Sequence, residues 1–379
     1  MNDRRAMSSL LSLHAPVPET TLRFEQLFFG DYTLLIRLSQ LRTAAAKAAR
    51  SLDADDATAV GEHVDAIDAY AQAWRSFARE YVYDAGSDAR SRLPLEFAWR
   101  VQLLSSSQEA LYRDGSPLFE TACSTLALVA ALQRRGAVDS RGHHEDLQRA
   151  QRELVYLREA VLKPLYTPRV APPPTRFVEN VAAPSFAALR AALERESLRR
   201  REPVVLSSVL VRSLESAIDG QAFVKAAVEC LQRGSVSSTQ MASLLFTATR
   251  AFRRAANLLP AERTLRSAGK SASSLAHRYT AQALLDASDV PGSDSALRGV
   301  AVTLARHAHS IDSSNVAVER YMLELNDRNR LEFGMQVVPS SNEVHITVRD
   351  DDDAETLNAT QDDSTWHIVL PRPHAWREK

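Results

Sequence analysis

The sequence predicts an all-α protein with one small β element, and three features predict it. Apolar residues recur at steps of three and four along two long stretches, Asp55–Tyr83 and Leu147–Val161, the spacing that lines one face of a helix. Between them, Leu118–Leu132 is apolar almost all round, interrupted only by Glu120, Thr121, Ser124 and Thr125. A helix apolar on nearly every face is buried on nearly every face. The third feature is a short alternating run, Leu95, Phe97 and Trp99 against Glu96, Ala98 and Arg100, whose period of two suits a half-buried strand.

Taken in order, residues 8–17 read as extended and end in turns limited by Pro16 and Pro18. Thr21–Phe29 reads as a short helix broken at Gly30, after which Asp31 is placed to cap Tyr32–Arg50. A capping carboxylate accepts hydrogen bonds that the first turn cannot make internally. That helix turns Leu34, Leu35, Leu38, Leu41 and Ala45 to one side. In Asp55–Tyr83 the stripe is Val60, Val64, Ile67, Ala71, Trp74 and Ala78, widened by Phe77 and Tyr81. A short polar linker joins these two helices into an αα-hairpin. A polar, serine-rich break follows the strand, and Phe119–Leu132 is then the central helix, with Cys123 inside it as a small core hydrophobe. Gly136–Gly142 reads as a loop, and Leu147, Ala150, Leu154, Leu157 and Val161 mark the next amphipathic helix.

Pro164–Pro184 contains six prolines, so it reads as an extended connection, because proline cannot continue a helix. Helices return at Phe186–Arg199, Val204–Arg233, Ser237–Leu258, Ala261–Ala287, Ser295–Ser310 and Asn315–Arg328, punctuated by Gly220, Gly234, Pro260 and Pro291. Their lengths suit a helical-repeat-like stack, without a fixed repeat period. The end of the chain differs. Glu343–Arg349 alternates Val344, Ile346 and Val348 against His345 and Thr347, and Thr365–Leu370 places Trp366, Ile368 and Leu370 in the same way. With the acidic run Asp350–Glu355 between them, the two either pair as a β-hairpin, the preferred reading, or stay disordered. The expected organisation is a helical domain over 1–345 and an acidic tail over 346–379.

Composition narrows the function classes. A net charge of −1 gives no global electrostatic case for nucleic acid or a membrane surface. The two cysteines, Cys123 and Cys230, both lie in apolar helical contexts, which points to a reducing compartment rather than a disulfide framework. No apolar run approaches the roughly 20 residues of a membrane span. The start, MNDRRAMSSLLSLHAPVPE, is a poor signal peptide, and the end, HAWREK, has no prenylation motif. The expected compartment is the cytoplasm.

No catalytic or metal constellation stands out. Gly269-Lys270-Ser271 ends like a phosphate-binding loop, but its first glycine would fall at Thr264 and the segment reads as helix. Without a glycine-rich turn there is no cradle of N–H groups for a phosphate. His143-His144 and His307/His309 lack the i, i+4 spacing of a helical metal site. No Gly-x-Ser-x-Gly elbow is present. Arg134-Arg135 and Arg199-Arg200-Arg201 sit at helix ends, where arginine complements the macrodipole. No catalytic residue, metal or cofactor is therefore expected.

A family resemblance rests on several weak motifs in a consistent order. The strand ending Phe97-Ala98-Trp99, followed by a gap and Phe119-Glu120-Thr121-Ala122-Cys123, resembles the Bro1 domain family, which includes ALIX and the rhophilins. Arg100-Val101 departs from it where an acidic residue is usual. Leu38-Ser39-Gln40-Leu41-Arg42-Thr43-Ala44 is similar to the family's Leu-x-x-Leu-Arg-x-Ala, and Tyr70 with Phe77 to the aromatic pair preceding its strand. Ala217–Ala226 keeps only Phe223-Val224-Lys225-Ala226 of a longer box, the glutamine-glutamate part being lost. Glu324–Pro339 resembles the closing motif through Phe333 and Val338-Pro339, its Tyr-His being replaced. Together these pieces span about residues 8–345.

The resemblance implies a curved, all-α scaffold without enzymatic activity. It implies that an amphipathic helix of an ESCRT-III subunit lies in a groove and that this partner recruits the protein to endosomal membrane, with no role for nucleic acid. Helix-in-groove recognition needs apolar anchors spaced to meet the guest's i, i+3/i+4, i+7 residues. The family's groove positions fall at Phe223, Lys225, Val236, Gln240 and Met241, with polar Gln240 replacing a hydrophobe. Phe223 and Val236 read equally well as ordinary core. The alternative is a helical-repeat adaptor for a different protein partner, its groove function lost.

Overall fold

In the computed structural model of the chain, the Asp31 carboxylate accepts from the backbone N–H of Thr33 and Leu34 and starts α1, Tyr32–Arg50. Asp56 does the same through Thr58 for α2, Ala57–Phe77, which runs on into a π-helical turn at Ala78–Tyr83. The structure describes residues 16–19, 22–26, 31–52, 56–83, 96–102, 109–138, 143–162, 207–233, 237–260, 263–289, 296–332, 343–349, 357–362 and 365–373. The predicted proline-rich connection 164–184 and the helix at 186–199 lie outside them. So do Leu95, Val236, Phe333 and Val338-Pro339.

Among the described residues the chain is helical with a few short strands. After the αα-hairpin come β2, Phe97–Gln102, and β3, Glu109–Asp114, then α3, Pro117–Val138, and α4, His143–Tyr156, which ends in a second π-helical turn at Leu157–Leu162. β1, Val17–Pro18, pairs antiparallel with β2, and β2 pairs antiparallel with β3, Trp99 standing opposite both Pro18 and Tyr112. Five further helices follow: α5 Ser208–Arg233, α6 Ser238–Leu258, α7 Arg263–Ser288, α8 Ala296–Ile311 and α9 Val316–Glu332. The last strands are β4 Glu343–Val348, β5 Asn358–Asp362 and β6 Thr365–Leu370.

Three expectations change. The serine-rich break contains a strand, β3, whose place is set by pairing along β2. Gly136 continues α3, where a loop was expected. The tail is not a two-strand hairpin: β4 and β6 run parallel, and β5 lies antiparallel on the other side of β6, in the order β4-β6-β5. The antiparallel neighbours β5 and β6 are consecutive in sequence.

The boundary expected at 345/346 falls inside β4. The chain divides instead into two compact units, Leu11–Ile218 with Ala255–Arg263, and Met1–Leu10 with Asp219–Arg254 and Thr264–Lys379. In the first unit α2 packs between α1 and α3, α3 packs on α4, and β2 lies against α3. Its centre is aromatic. Trp74 meets Phe97 edge-on at 5.1 Å and Phe24 at 5.9 Å, while its indole N–H donates to Thr121 Oγ1 at 3.0 Å.

One carboxylate organises this core. Glu120 is fully buried and accepts from Arg42 Nε at 3.1 Å, from Trp99 Nε1 at 2.6 Å and from the Tyr70 hydroxyl. A buried charge is tolerable only when paired and hydrogen-bonded in this way. Burial and then the Glu120 charge push the Tyr70 phenol well above its ordinary value, which keeps it a donor. Burial and the same charge raise the Cys123 thiol, leaving it an inert core group. Burial, the largest single influence on the Arg42 guanidinium, would lower it; the Glu120 charge, Tyr70 and the hydrogen bonds to both together outweigh burial and raise the group.

In the second unit the tail strands belong to the helical core. Val348, Trp366, Ile368 and Leu370 pack with Leu284, Leu285, Val300, Leu304 and Ala305 of α7 and α8. The opposite face of the sheet stacks His345 on His367 at 5.9 Å. Ser274 of α7 donates to the Ala308 carbonyl of α8 at 2.7 Å, and α8 packs on α9.

Candidate partner-binding face on α5

The described groove residues fall on the parts of α5 and α6 that belong to the second unit. Phe223 is half-buried on α5, and Ala222, Val224 and Ala227 beside it are buried. Asp219, Phe223, Ala226 and Cys230 are all half-buried and follow one another at steps of four, three and four. That spacing puts them along one side of the helix. The sequence reading had Phe223 but not this stripe, although the spacing is legible once Phe223 is taken as its anchor. Leu231, in the next turn, is exposed.

Small residues flank the ring, since Ala226 stands one turn and Cys230 two turns further along. An apolar ring with low neighbours forms a ledge that an apolar side chain from another helix can cover. Burial raises the Cys230 thiol, and Arg233 opposes that shift. Lys225 is half-buried on an adjoining side of α5.

The remaining predicted residues behave differently. Met241 is buried and shares the inward side of α6 with Leu245, Ala248 and Phe252 at steps of four, three and four. It is core rather than an exposed anchor. Gln240 is half-buried at the start of α6, its backbone N–H donating to Ser237 Oγ at 3.2 Å. Val236 lies outside the described residues.

α5 is held close to α6. A Cβ on Gly220 would stand 2.7 Å from the ring of Phe252, nearer than two carbons can approach, so the glycine lets the ring sit against the helix backbone. Across α7, Gly269 faces the Phe252 Cβ, and a Cβ there would stand at 3.5 Å. The tight seat at Gly220 lies one turn before Phe223 and fixes the ledge to the core.

The sequence motifs weighed for other chemistry resolve plainly. Gly269-Lys270-Ser271 lies within α7. No group of three or more metal-ligating side chains gathers among the described residues. No described helix is long and apolar enough to cross a membrane.

No protein-family model matches the sequence, and no curated protein matches it. Solved structures do. The Bro1 domain of ALIX in complex with CHMP4C is similar over 86% of this chain and 90% of that one, with a TM-score of 0.55 and 14% identity. ALIX in complex with the SIVmac239 PYKEVTEDL late domain is similar over 86% of this chain and 45% of its own, at the same TM-score and identity. A Bro1 domain whose structure concerns endosomal targeting is similar over 87% of this chain and 88% of its own, again at a TM-score of 0.55 and 14% identity. At that identity the similarity is one of fold, and the chain has a divergent form of the Bro1-domain fold.

Proposed function

We propose that the protein is a non-enzymatic scaffold that binds an amphipathic helix of an ESCRT-III subunit along the α5 face around Phe223, and that this partner recruits it to endosomal membrane from the cytoplasm. The observation that carries the reading is Phe223 itself, a large apolar side chain left half-buried beside Ala226 and Cys230. The fold similarity to a Bro1 domain in complex with CHMP4C supports the choice of partner class.

The test is Phe223→Asp, with a labelled amphipathic ESCRT-III helix as ligand. On a solvent-accessible ledge the new carboxylate stays hydrated, so the thermal melt should be unchanged while peptide affinity is lost. In a closed core an unpaired carboxylate costs several kcal/mol and unfolds the unit. Unfolding, or unchanged binding by a folded variant, would overturn the assignment.

A second reading is an adaptor for a different partner with the groove function lost. Met241 favours it, because this residue is turned into the core and Gln240 beside it is polar. Binding of the wild-type chain to other helical partners, without affinity for the ESCRT-III helix, would select this reading.

A further inference from the structure

A second feature of the same unit is electrostatic and does not depend on the α5 ledge. Arg250, Arg253 and Arg254 of α6 and Arg266 and Lys270 of α7 are all exposed. Positions 250, 253 and 254 lie on one face of α6, and 266 and 270 on one face of α7, by the i, i+3/i+4 rule. Packing brings the two rows level. Phe252 meets Gly269, whose added Cβ would stand 3.5 Å from Phe252 Cβ, and Arg253 and Lys270 are the next residue after each. The Arg253 charge also reaches His277 on α7.

Among the described residues of α6 and α7, no acidic side chain lies close to these five cations. α6 contains no acidic residue. The acidic residue of α7 is Asp286, sixteen positions beyond Lys270 and so about 24 Å along the axis. None of the five makes a hydrogen bond or ion pair with another described residue. In a chain of net charge −1, this is a local concentration of charge and not a global bias.

We propose that the α6–α7 face binds the surface of a membrane containing anionic phospholipid. Side chains that no described neighbour holds in place do not form a cradle for one fixed ligand. They suit mobile headgroups, to which each basic residue adds about fivefold in partitioning. An acidic peptide would call for guanidinium groups pre-oriented by neighbours, and no described residue holds these four by a hydrogen bond or ion pair. A single-stranded nucleic acid would call for exposed rings on which bases stack. The ring next to Arg253, Phe252, is buried, and Phe246 and His277 are half-buried and packed on each other at 5.1 Å.

The experiment is co-sedimentation of the full chain with phosphatidylcholine vesicles, with and without phosphatidylserine. Binding should require phosphatidylserine and should weaken with salt, because the screening length falls from about 10 Å at 0.1 M to about 3 Å at 1 M. The triple variant Arg250→Gln/Arg253→Gln/Arg254→Gln should lose roughly a hundredfold in partitioning while keeping its helical circular dichroism. Arg266→Gln/Lys270→Gln provides an independent second set, decisive if the triple variant is misfolded. Arg37→Gln, exposed on α1, should bind as wild type. Indifference of the wild type to phosphatidylserine, or undiminished binding by a folded variant of either set, would overturn the proposal. Tighter salt-sensitive binding to polyglutamate or polyuridylate than to the vesicles would assign the face to a different polyanion and overturn it as well.

Discussion

The indole N–H of Trp99, on β2, donates to the carboxylate of Glu120, on α3, at 2.6 Å with both residues fully buried. This bond ties the small sheet to the central helix. The same carboxylate holds Arg42 of α1 and Tyr70 of α2, so four elements converge on one charge. Partners from distant parts of the chain fix the relative placement of those elements in a way that apolar packing alone does not.

Removing the carboxylate should therefore be severe. Glu120→Ala leaves the Arg42 guanidinium buried without its counter-charge, and breaking one side of such a pair costs about 3–5 kcal/mol. Trp99→Ala should cost about 3–5 kcal/mol through lost burial and a residual cavity. Trp99→Phe keeps most of the ring but deletes the donor, for about 1–3 kcal/mol. Urea denaturation followed by circular dichroism would rank the three. A Trp99→Phe variant as unstable as Trp99→Ala would show that the hydrogen bond, and not the packing, dominates.

The two glycines that meet Phe252 make opposite predictions from one geometry. At Gly220 a methyl group would stand 2.7 Å from the ring, so Gly220→Ala forces the ring or the helix to move and should destabilise by about 1–3 kcal/mol. At Gly269 the added methyl meets Phe252 at 3.5 Å, an ordinary contact. Gly269→Ala should then be neutral or gain up to about 1 kcal/mol of helix propensity. Thermal melts of the two variants, expected to shift in opposite directions, check the α5–α6–α7 packing that supports Phe223.

Most of the first unit was legible because its determinants are local. The Asp31 cap, the 3.6-residue stripe through Val60, Ile67 and Trp74 and the all-apolar central helix announce themselves in sequence. Arg42, Tyr70, Trp99 and Glu120 were each visible as motif positions, but their meeting was not, since separations of 21 to 78 residues leave no periodic trace. β3 went unseen because its described buried residues are Tyr112 and the polar Asp114, with pairing to β2 in place of an apolar pattern of its own. In the tail, the alternation of β4 and β6 gives which face is buried but not the direction of the strand. β5, reading NATQD, has one apolar residue and no compositional signal. At the candidate site, Phe223 was legible through the resemblance. The inward turn of Met241 was not, because sequence proximity to Gln240 says nothing of which side of α6 faces the core.

The last prediction concerns His63, which is buried on α2 with Nδ1 lacking a hydrogen-bond partner in the structure. Burial, and then the charge of Arg134, lower its pKa from 6.5 to about 4. A lowered folded-state value means that the unfolded chain takes up the proton first as pH falls. Above the unfolded value both states are neutral and His63 contributes no pH dependence. Between pH 6.5 and about 4 the unfolded state binds more protons, so stability falls as the solution is acidified. A separation of about 2.5 units corresponds to roughly 3 kcal/mol lost across that window. His63→Leu removes the titrating group and keeps an apolar side chain at the buried position. Stability measured by urea denaturation at pH 7 and pH 5 should therefore fall less in His63→Leu than in the wild type. Equal losses in the two proteins would show that His63 is not protonated on unfolding and would return the acid sensitivity to the carboxylates.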